Sequence, residues 1–128
     1  MMHRNTFLDS PRVLDSDYSL RSDPDIFFAG QMTGVEGYME SASSGMMAGI
    51  NAVKRLMNME TVTYPPETMT GALSRYISDP TVKDFQPMGA NLGILPPLSE
   101  HIRDKKLRAK AYSDRALSAL DDFLAISD

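Results

Sequence analysis

The stretch Ile26-Phe27-Phe28-Ala29-Gly30-Gln31-Met32-Thr33-Gly34-Val35-Glu36-Gly37-Tyr38-Met39-Glu40-Ser41 decides the fold. It follows a Pro24-Asp25 turn and opens with four apolar residues that Gly30 stops, the pattern of a short strand buried on both faces. Such a strand implies a parallel sheet covered by helices, hence the α/β class. Glycines at 30, 34 and 37 punctuate a loop that leads into a helix rich in small residues. In α/β proteins this arrangement carries backbone amides to an anionic or dinucleotide ligand at the carboxyl end of a sheet. The glycine spacings do not form the G-x-G-x-x-G fingerprint, and the chain has no Walker loop. On spacing alone, a plain strand-to-helix connection is the alternative reading.

Between residues 37 and 57 the apolar positions Met39, Ala42, Met46, Ile50, Val53 and Met57 recur three and four apart, which predicts a helix of about five to six turns. Small residues crowd its middle, Gly45 and Gly49 among them. Glycine inside a helix costs roughly 1 kcal/mol against alanine, so the pair predicts close approach by a sheet, another helix or a ligand. Met39, Met46, Met47 and Met57 are expected to fill the core.

Further along, Pro65-Pro66-Glu67-Thr68 predicts a helix start with proline in the first turn and an early carboxylate, the helix running through Leu73, Tyr76 and Ile77 and stopping before Pro80. Residues 85–97 are apolar yet rich in Gly, Pro and amides, which predicts a partly buried loop with strand-like pieces. Apolar positions at 102, 109, 112, 116, 120 and 123 predict an amphipathic C-terminal helix over 102–126. Residues 1–24, with scattered apolar positions and no period, read as an irregular lead-in.

Composition bounds the function. At 128 residues, 42% hydrophobic and 23% charged, the chain is one globular domain able to bury roughly two thirds of its unfolded surface. It has no cysteine, which excludes disulfides, thiolate metal sites and a cysteine nucleophile in this chain. His3 and His101 are too far apart in sequence to argue for a metal site. No apolar run approaches the roughly 18 residues of a membrane span, and no signal segment opens the chain, so a cytoplasmic location is expected. A net charge of −4 argues against a free-standing nucleic-acid binder. Yet Arg103, Lys105, Lys106, Arg108, Lys110 and Arg115 stand against only Glu100, Asp104 and Asp114 between residues 100 and 115, a local +3. That cluster is either a solvated helix face or one edge of a polyanion site.

The residues themselves resemble a known family. Ala29-Gly30-Gln31, Thr33-Gly34-Val35-Glu36-Gly37-Tyr38, Glu40-Ser41 and Gly49-Ile50-Asn51-Ala52 resemble the second flavin-contacting segment of the folate-dependent, FAD-containing tRNA uracil-5-methyltransferases. Met2-His3-Arg4-Asn5-Thr6, Pro65-Pro66-Glu67-Thr68 and Phe85-Gln86-Pro87-Met88 with Asn91 and Pro96-Pro97 are similar to three further blocks of that family, in the same order.

The resemblance implies the C-terminal portion of a two-dinucleotide-binding-domain flavoprotein, mostly helical with a few short strands. On that reading residues 1–24 lead in from a preceding domain, and residues 25–128 form the C-terminal part of the FAD-binding domain with its C-terminal helix. It implies transfer of a carbon from methylenetetrahydrofolate through reduced FAD to C5 of a T-loop uridine in tRNA, with NAD(P)H as electron source. The Gly-rich pyrophosphate loop and the catalytic cysteines of the family are not in this chain, so a bacterial fragment, inactive alone and completed by an N-terminal flavin-binding portion, is expected. By the same resemblance Gly30, Gln31, Thr33, Gly34, Val35, Glu36, Gly37 and Tyr38 contact the flavin, with the amides of residues 34–38 facing the isoalloxazine edge or the phosphates. His3, Arg4 and Asn91 are the folate or substrate candidates, and Arg103, Lys105, Lys106, Arg108 and Lys110 the tRNA candidates. The alternatives are a related FAD protein that modifies the tRNA wobble uridine, and a non-catalytic helical interaction module.

Overall fold

The computed structural model describes residues 7–127. They form four α-helices, α1 (Ser10–Val13), α2 (Tyr38–Leu56), α3 (Met69–Ile77) and α4 (Lys105–Ser127), with 3₁₀ turns at Gln31–Thr33 and Leu92–Ile94. Among the described residues, extended chain meets in isolated bridges: Leu14 with Leu20 and Ser19 with Phe27, both antiparallel, and Val35 with Met88, parallel. The expectation of a mostly helical chain holds. The doubly buried parallel strand at 26–29 does not form. Ile26 is 43% exposed, and the segment pairs on one side only, through Phe28 N–H to Tyr18 O at 3.0 Å and Leu20 N–H to Ile26 O at 2.8 Å. A central strand needs neighbours on both edges, and the described residues supply one short neighbour.

Helix α2 lies where the three-and-four spacing predicts it, with Glu40 in its first turn and Lys54 and Arg55 in its last, charges that suit the helix dipole. Its buried face is not the predicted one. Ser44, Met47, Ala48 and Asn51 turn inward, whereas Met39, Met46, Val53 and Met57 are exposed. Of the four methionines expected in the core, Met47 alone is buried. Hydrogen bonding selects this face. Asn51 Nδ2 donates to Val62 O at 2.8 Å and Asp17 O at 3.3 Å, while its Oδ1 accepts from Val62 N–H at 2.8 Å. Ser44 Oγ accepts from Gly30 N–H at 2.7 Å and donates to Ser41 O. Gly45 and Gly49 meet no described atom within 4 Å of where a Cβ would stand, so the close approach they predict is not made within the described residues.

Helix α3 starts at Met69, later than the Pro-Pro pair suggests. Thr68 is its N-cap, accepting from Gly71 N–H at 3.0 Å, and Pro65 lies before the helix with its carbonyl held by the Thr68 hydroxyl. The helix ends at Ile77, ahead of Pro80 as predicted, and touches α1, α2 and the turn at 92–94. Around it Leu14, Tyr18, Val35, Met47, Ala48, Leu73, Ile77 and Phe85 form the core. Leu14 and Tyr18 belong to the segment without a period. Residues 85–97 form the partly buried loop expected of them, bridged at Met88 to Val35. Helix α4 begins at Lys105 rather than 102 because the Asp104 side chain caps it, accepting from Leu107 N–H at 3.0 Å. The Tyr64 and Phe123 rings meet at a 51° tilt with centroids 4.9 Å apart, and Arg115 donates to the carbonyls of Pro96 and Pro97, fastening α4 to the rest. No helix among the described residues is long and apolar enough to cross a membrane.

Asp17 ties the lead-in to the segment after α2. Its carboxylate accepts from the Ser19 hydroxyl at 2.6 Å, the Thr61 hydroxyl at 2.6 Å and Ser19 N–H at 2.9 Å. Burial pushes its pKa up, but these hydrogen bonds and the Arg55 charge together outweigh burial and hold it below the ordinary carboxylate value. A depressed pKa stabilises the fold at pH above the unfolded value of about 3.9 and loses that stabilisation as pH falls through the folded value. Asp17→Asn is therefore expected to lower stability by about 2 kcal/mol at neutral pH and by less at pH 3, which lies below the unfolded value. Urea midpoints at the two pH values test this, and equal losses at both would contradict it.

Candidate functional site

The turn from Gly30 to Tyr38 is assembled from short-range bonds that its sequence dictates. Gly30 takes φ +78° and Gly34 φ +99°, and between them Thr33 closes the 3₁₀ turn, its N–H and hydroxyl both donating to Gly30 O at 2.9 and 2.7 Å. Outside partners anchor it: Ser10 Oγ donates to Thr33 O at 2.6 Å, and Leu8 N–H to Met32 O at 2.7 Å. The strand-like pair with the 85–97 loop follows, Met88 N–H to Gly34 O at 2.8 Å and Glu36 N–H to Met88 O at 2.9 Å. Gly37, at φ +107°, then starts α2, and its Cα hydrogens lie against the Glu40 carboxylate, which accepts from Ala90 N–H at 3.3 Å.

This geometry divides the eight predicted flavin contacts. Thr33, Gly34 and Val35 are buried and hold the turn to the core. The amides of Gly30, Gly34 and Glu36 are engaged by Ser44, Gln31 O and Met88 O, which removes Gly34 and Glu36 from the amides expected to face a ligand. Gln31, Gly37 and Tyr38 come together with Ser41 around a hollow of about 250 Å³. The Tyr38 ring is 98% exposed. The first helical bond of α2 is Ser41 N–H to Gly37 O at 3.0 Å, so the amides of Tyr38, Met39 and Glu40 have no acceptor within the helix. The hollow thus offers one side-chain amide, one hydroxyl and the positive end of a helix dipole, a donor-rich edge suited to carbonyl or phosphate oxygens. Ser41 was absent from the predicted contacts, although its place one turn beyond Gly37 and Tyr38 puts it on the same side of the helix.

The other predicted residues are not gathered here. His3 and Arg4 lie outside the described residues. Asn91 is close by in the chain fold, since Ala90 bonds to Glu40, but its amide is taken up locally: Oδ1 accepts from Gly93 N–H at 2.9 Å and Nδ2 donates to Gly89 O at 3.0 Å. Arg103, Lys105, Lys106 and Lys110 are exposed and Arg108 half-buried, with Lys110 3.8 Å from Asp114. No hydrogen bond, ion pair or ring contact joins this cluster to the turn at 30–38 among the described residues. A larger hollow, about 500 Å³, sits at the other end of α2 between Arg55 and residues 58–61 and contains none of the predicted residues.

Comparison with known proteins finds relatives both of the turn and of nearly the whole chain. Residues 1–60, which contain the whole turn and α2, match the family model described as glucose inhibited division protein A. A solved structure of Aquifex aeolicus GidA is 28% identical over 54% of this chain and 11% of that one, with a TM-score of 0.49. Closer in sequence are proteins named methylenetetrahydrofolate–tRNA-(uracil-5-)-methyltransferase TrmFO, from Desulfitobacterium hafniense at 54% identity over 98% of this chain and from Lactiplantibacillus plantarum at 52% over 96%. The chain belongs to the TrmFO family. It spans less than a third of the length of these relatives, 29% and 28% respectively.

Proposed function

We propose that these residues are part of a flavoenzyme that methylates C5 of a tRNA uridine with methylenetetrahydrofolate as carbon donor, and that the hollow at Gln31, Gly37, Tyr38 and Ser41 receives one edge of the FAD. The observation that carries this reading is the donor-rich hollow at the start of α2, inside a stretch half identical to enzymes named for that reaction. Its size suits one edge of a flavin and not the whole dinucleotide, so the remaining contacts come from elsewhere in the longer protein. Bound FAD supplies the redox chemistry. The chain's own part is to offer N–H groups of residues 37–40, the Gln31 amide and the Ser41 hydroxyl to flavin oxygens, with the Tyr38 ring available to cover the group. Thr33, Gly34 and Val35 hold that edge rigid. In the same reading His3, Arg4 and Asn91 lie toward folate, the basic start of α4 toward tRNA, NAD(P)H provides electrons, and the reaction takes place in the cytoplasm.

The test replaces the matching stretch of the Desulfitobacterium hafniense relative with these 128 residues. The chimera is expected to purify with flavin absorbance, and Gln31→Ala with Ser41→Val to weaken FAD retention about tenfold, the loss of roughly one good hydrogen-bond contribution. A colourless chimera, beside a yellow parent, would contradict the assignment; so would undiminished FAD affinity in the double variant.

A further inference from the structure

The charges of α4 are laid out against its own dipole. Lys105, Lys106 and Arg108 stand in its first turn, which holds no acidic residue, and no basic residue stands in its last. Cations are favoured at the opposite end of a helix, so helix stability does not account for this arrangement. Beside them Pro97, Glu100, His101, Arg108 and Tyr112 line a hollow of about 360 Å³. Arg108 is half-buried, yet among the described residues its guanidinium has no hydrogen-bond or ion-pair partner. Tyr112 is held in place, because the Arg115 guanidinium stands 5.2 Å over its ring and is itself fixed by bonds to Pro96 O at 2.6 Å and Pro97 O at 3.0 Å. A fixed ring and an unpaired planar cation in one hollow suit a nucleotide, the ring meeting the face of a base and the guanidinium two phosphate oxygens. We propose, on the tRNA substrate inferred for the longer enzyme, that this hollow seats one unpaired nucleotide of the tRNA, with its base on Tyr112 and its phosphate on Arg108 beside His101. A paired base is closed off inside its stack, whereas an unpaired one can be splayed onto a side chain. The hollow is at the small end of ligand sites, which suits one nucleotide and not a duplex. Glu100 opposes a phosphate on its own side of the wall, which leaves the phosphate to Arg108 and His101. The seat does not depend on whether the hollow at Gln31 takes flavin.

Binding of an unmodified tRNA transcript to the chimera with the Desulfitobacterium hafniense relative, measured over a range of salt, tests the assignment. Arg108→Gln is expected to weaken binding about tenfold and to lower the slope of log affinity against log salt by about 1, the loss of one phosphate contact. Tyr112→Leu keeps apolar bulk on the helix but offers no ring face. It is expected to weaken binding about tenfold with the salt slope unchanged, because a stacked base carries no charge. Tyr112→Phe keeps the ring and is expected to bind as the unsubstituted chimera does. A fully paired RNA duplex, which has no base to offer, is expected to bind the chimera and Tyr112→Leu equally. Undiminished tRNA affinity in Arg108→Gln or in Tyr112→Leu, beside a chimera that binds tRNA, would overturn the proposal and leave the tRNA substrate standing. Equal losses for the duplex and the tRNA in Tyr112→Leu would overturn it too, since the ring would then act through the fold of α4 and not through a base. A chimera that binds no tRNA, beside a parent that does, would overturn both the nucleotide seat and the tRNA substrate.

Discussion

Replacing Gly34 with alanine is expected to lower the stability of the chain by about 3 kcal/mol and its Tm by roughly 10 °C. Two separate costs add. Gly34 sits at φ +99° with ψ +9°, left-handed backbone that a side chain disfavours by about 1–2 kcal/mol. A Cβ at that position would also overlap the Phe85 ring. The ring has little room to retreat, because Phe7 packs edge-on at 5.9 Å and Tyr76 at 5.6 Å, and overpacking a well-filled core costs about 1–3 kcal/mol. Urea unfolding followed by circular dichroism reads the loss as a shift in midpoint at constant slope. Gly34→Ala combined with Phe85→Leu should incur less than the sum of the two single losses, since the smaller side chain removes the overlap and leaves the backbone cost. A loss under about 0.5 kcal/mol would mean that neither constraint acts.

The same substitution on the exposed side of α2 should have the opposite sign. Gly45 has nothing within 4 Å and ordinary helical surroundings, so Gly45→Ala in the isolated chain gains about 0.5–1 kcal/mol of helix propensity. The pair separates two uses of glycine that look alike in sequence: one residue shapes a turn, the other keeps a surface flat.

That ambiguity also explains which parts of the molecule could be read from the residues alone. A three-and-four spacing locates α2 to within a residue at each end, because periodicity is a local property. It says nothing of which side faces this chain, and here the inward side is chosen by Ser44 and Asn51 through bonds to Gly30, Asp17 and Val62. The run at 26–29 is apolar enough for a central strand, but strand formation depends on neighbours that sequence pattern cannot locate. Leu14 and Tyr18 anchor the core from a segment with no period, held by a turn in which Tyr18 takes φ +71° and burial pushes its phenol pKa up. At the site, the resemblance singles out the turn at 30–38, whereas the division of its amides into engaged and available depends on Met88, 52 residues beyond Glu36, and is invisible in the local sequence.

Asn51→Leu is expected to cost about 3 kcal/mol, and the reason lies in what it leaves behind rather than in what it removes. Asn51 is fully buried, and its amide satisfies both the N–H and the C=O of Val62 as well as Asp17 O. Leucine of similar size fills the space, so no cavity opens, but buried backbone groups then lack partners at about 1–3 kcal/mol each, partly offset by the apolar surface gained. Residues 61–64 should loosen first, because the Val62 bonds are what hold that segment to α2, and the Tyr64–Phe123 contact that seats α4 follows directly on it. Amide exchange read by mass spectrometry should therefore speed up at 61–64 and along α4 before it does in α3. Asn51→Asp tests the mechanism differently: its carboxylate still accepts from Val62 N–H but cannot donate to Val62 O or Asp17 O, and it stands near the ionised Asp17. It should thus be recovered in part by acid, whereas the leucine variant should not. If both variants lost the same stability at pH 4 and pH 7, the amide would be acting through shape alone.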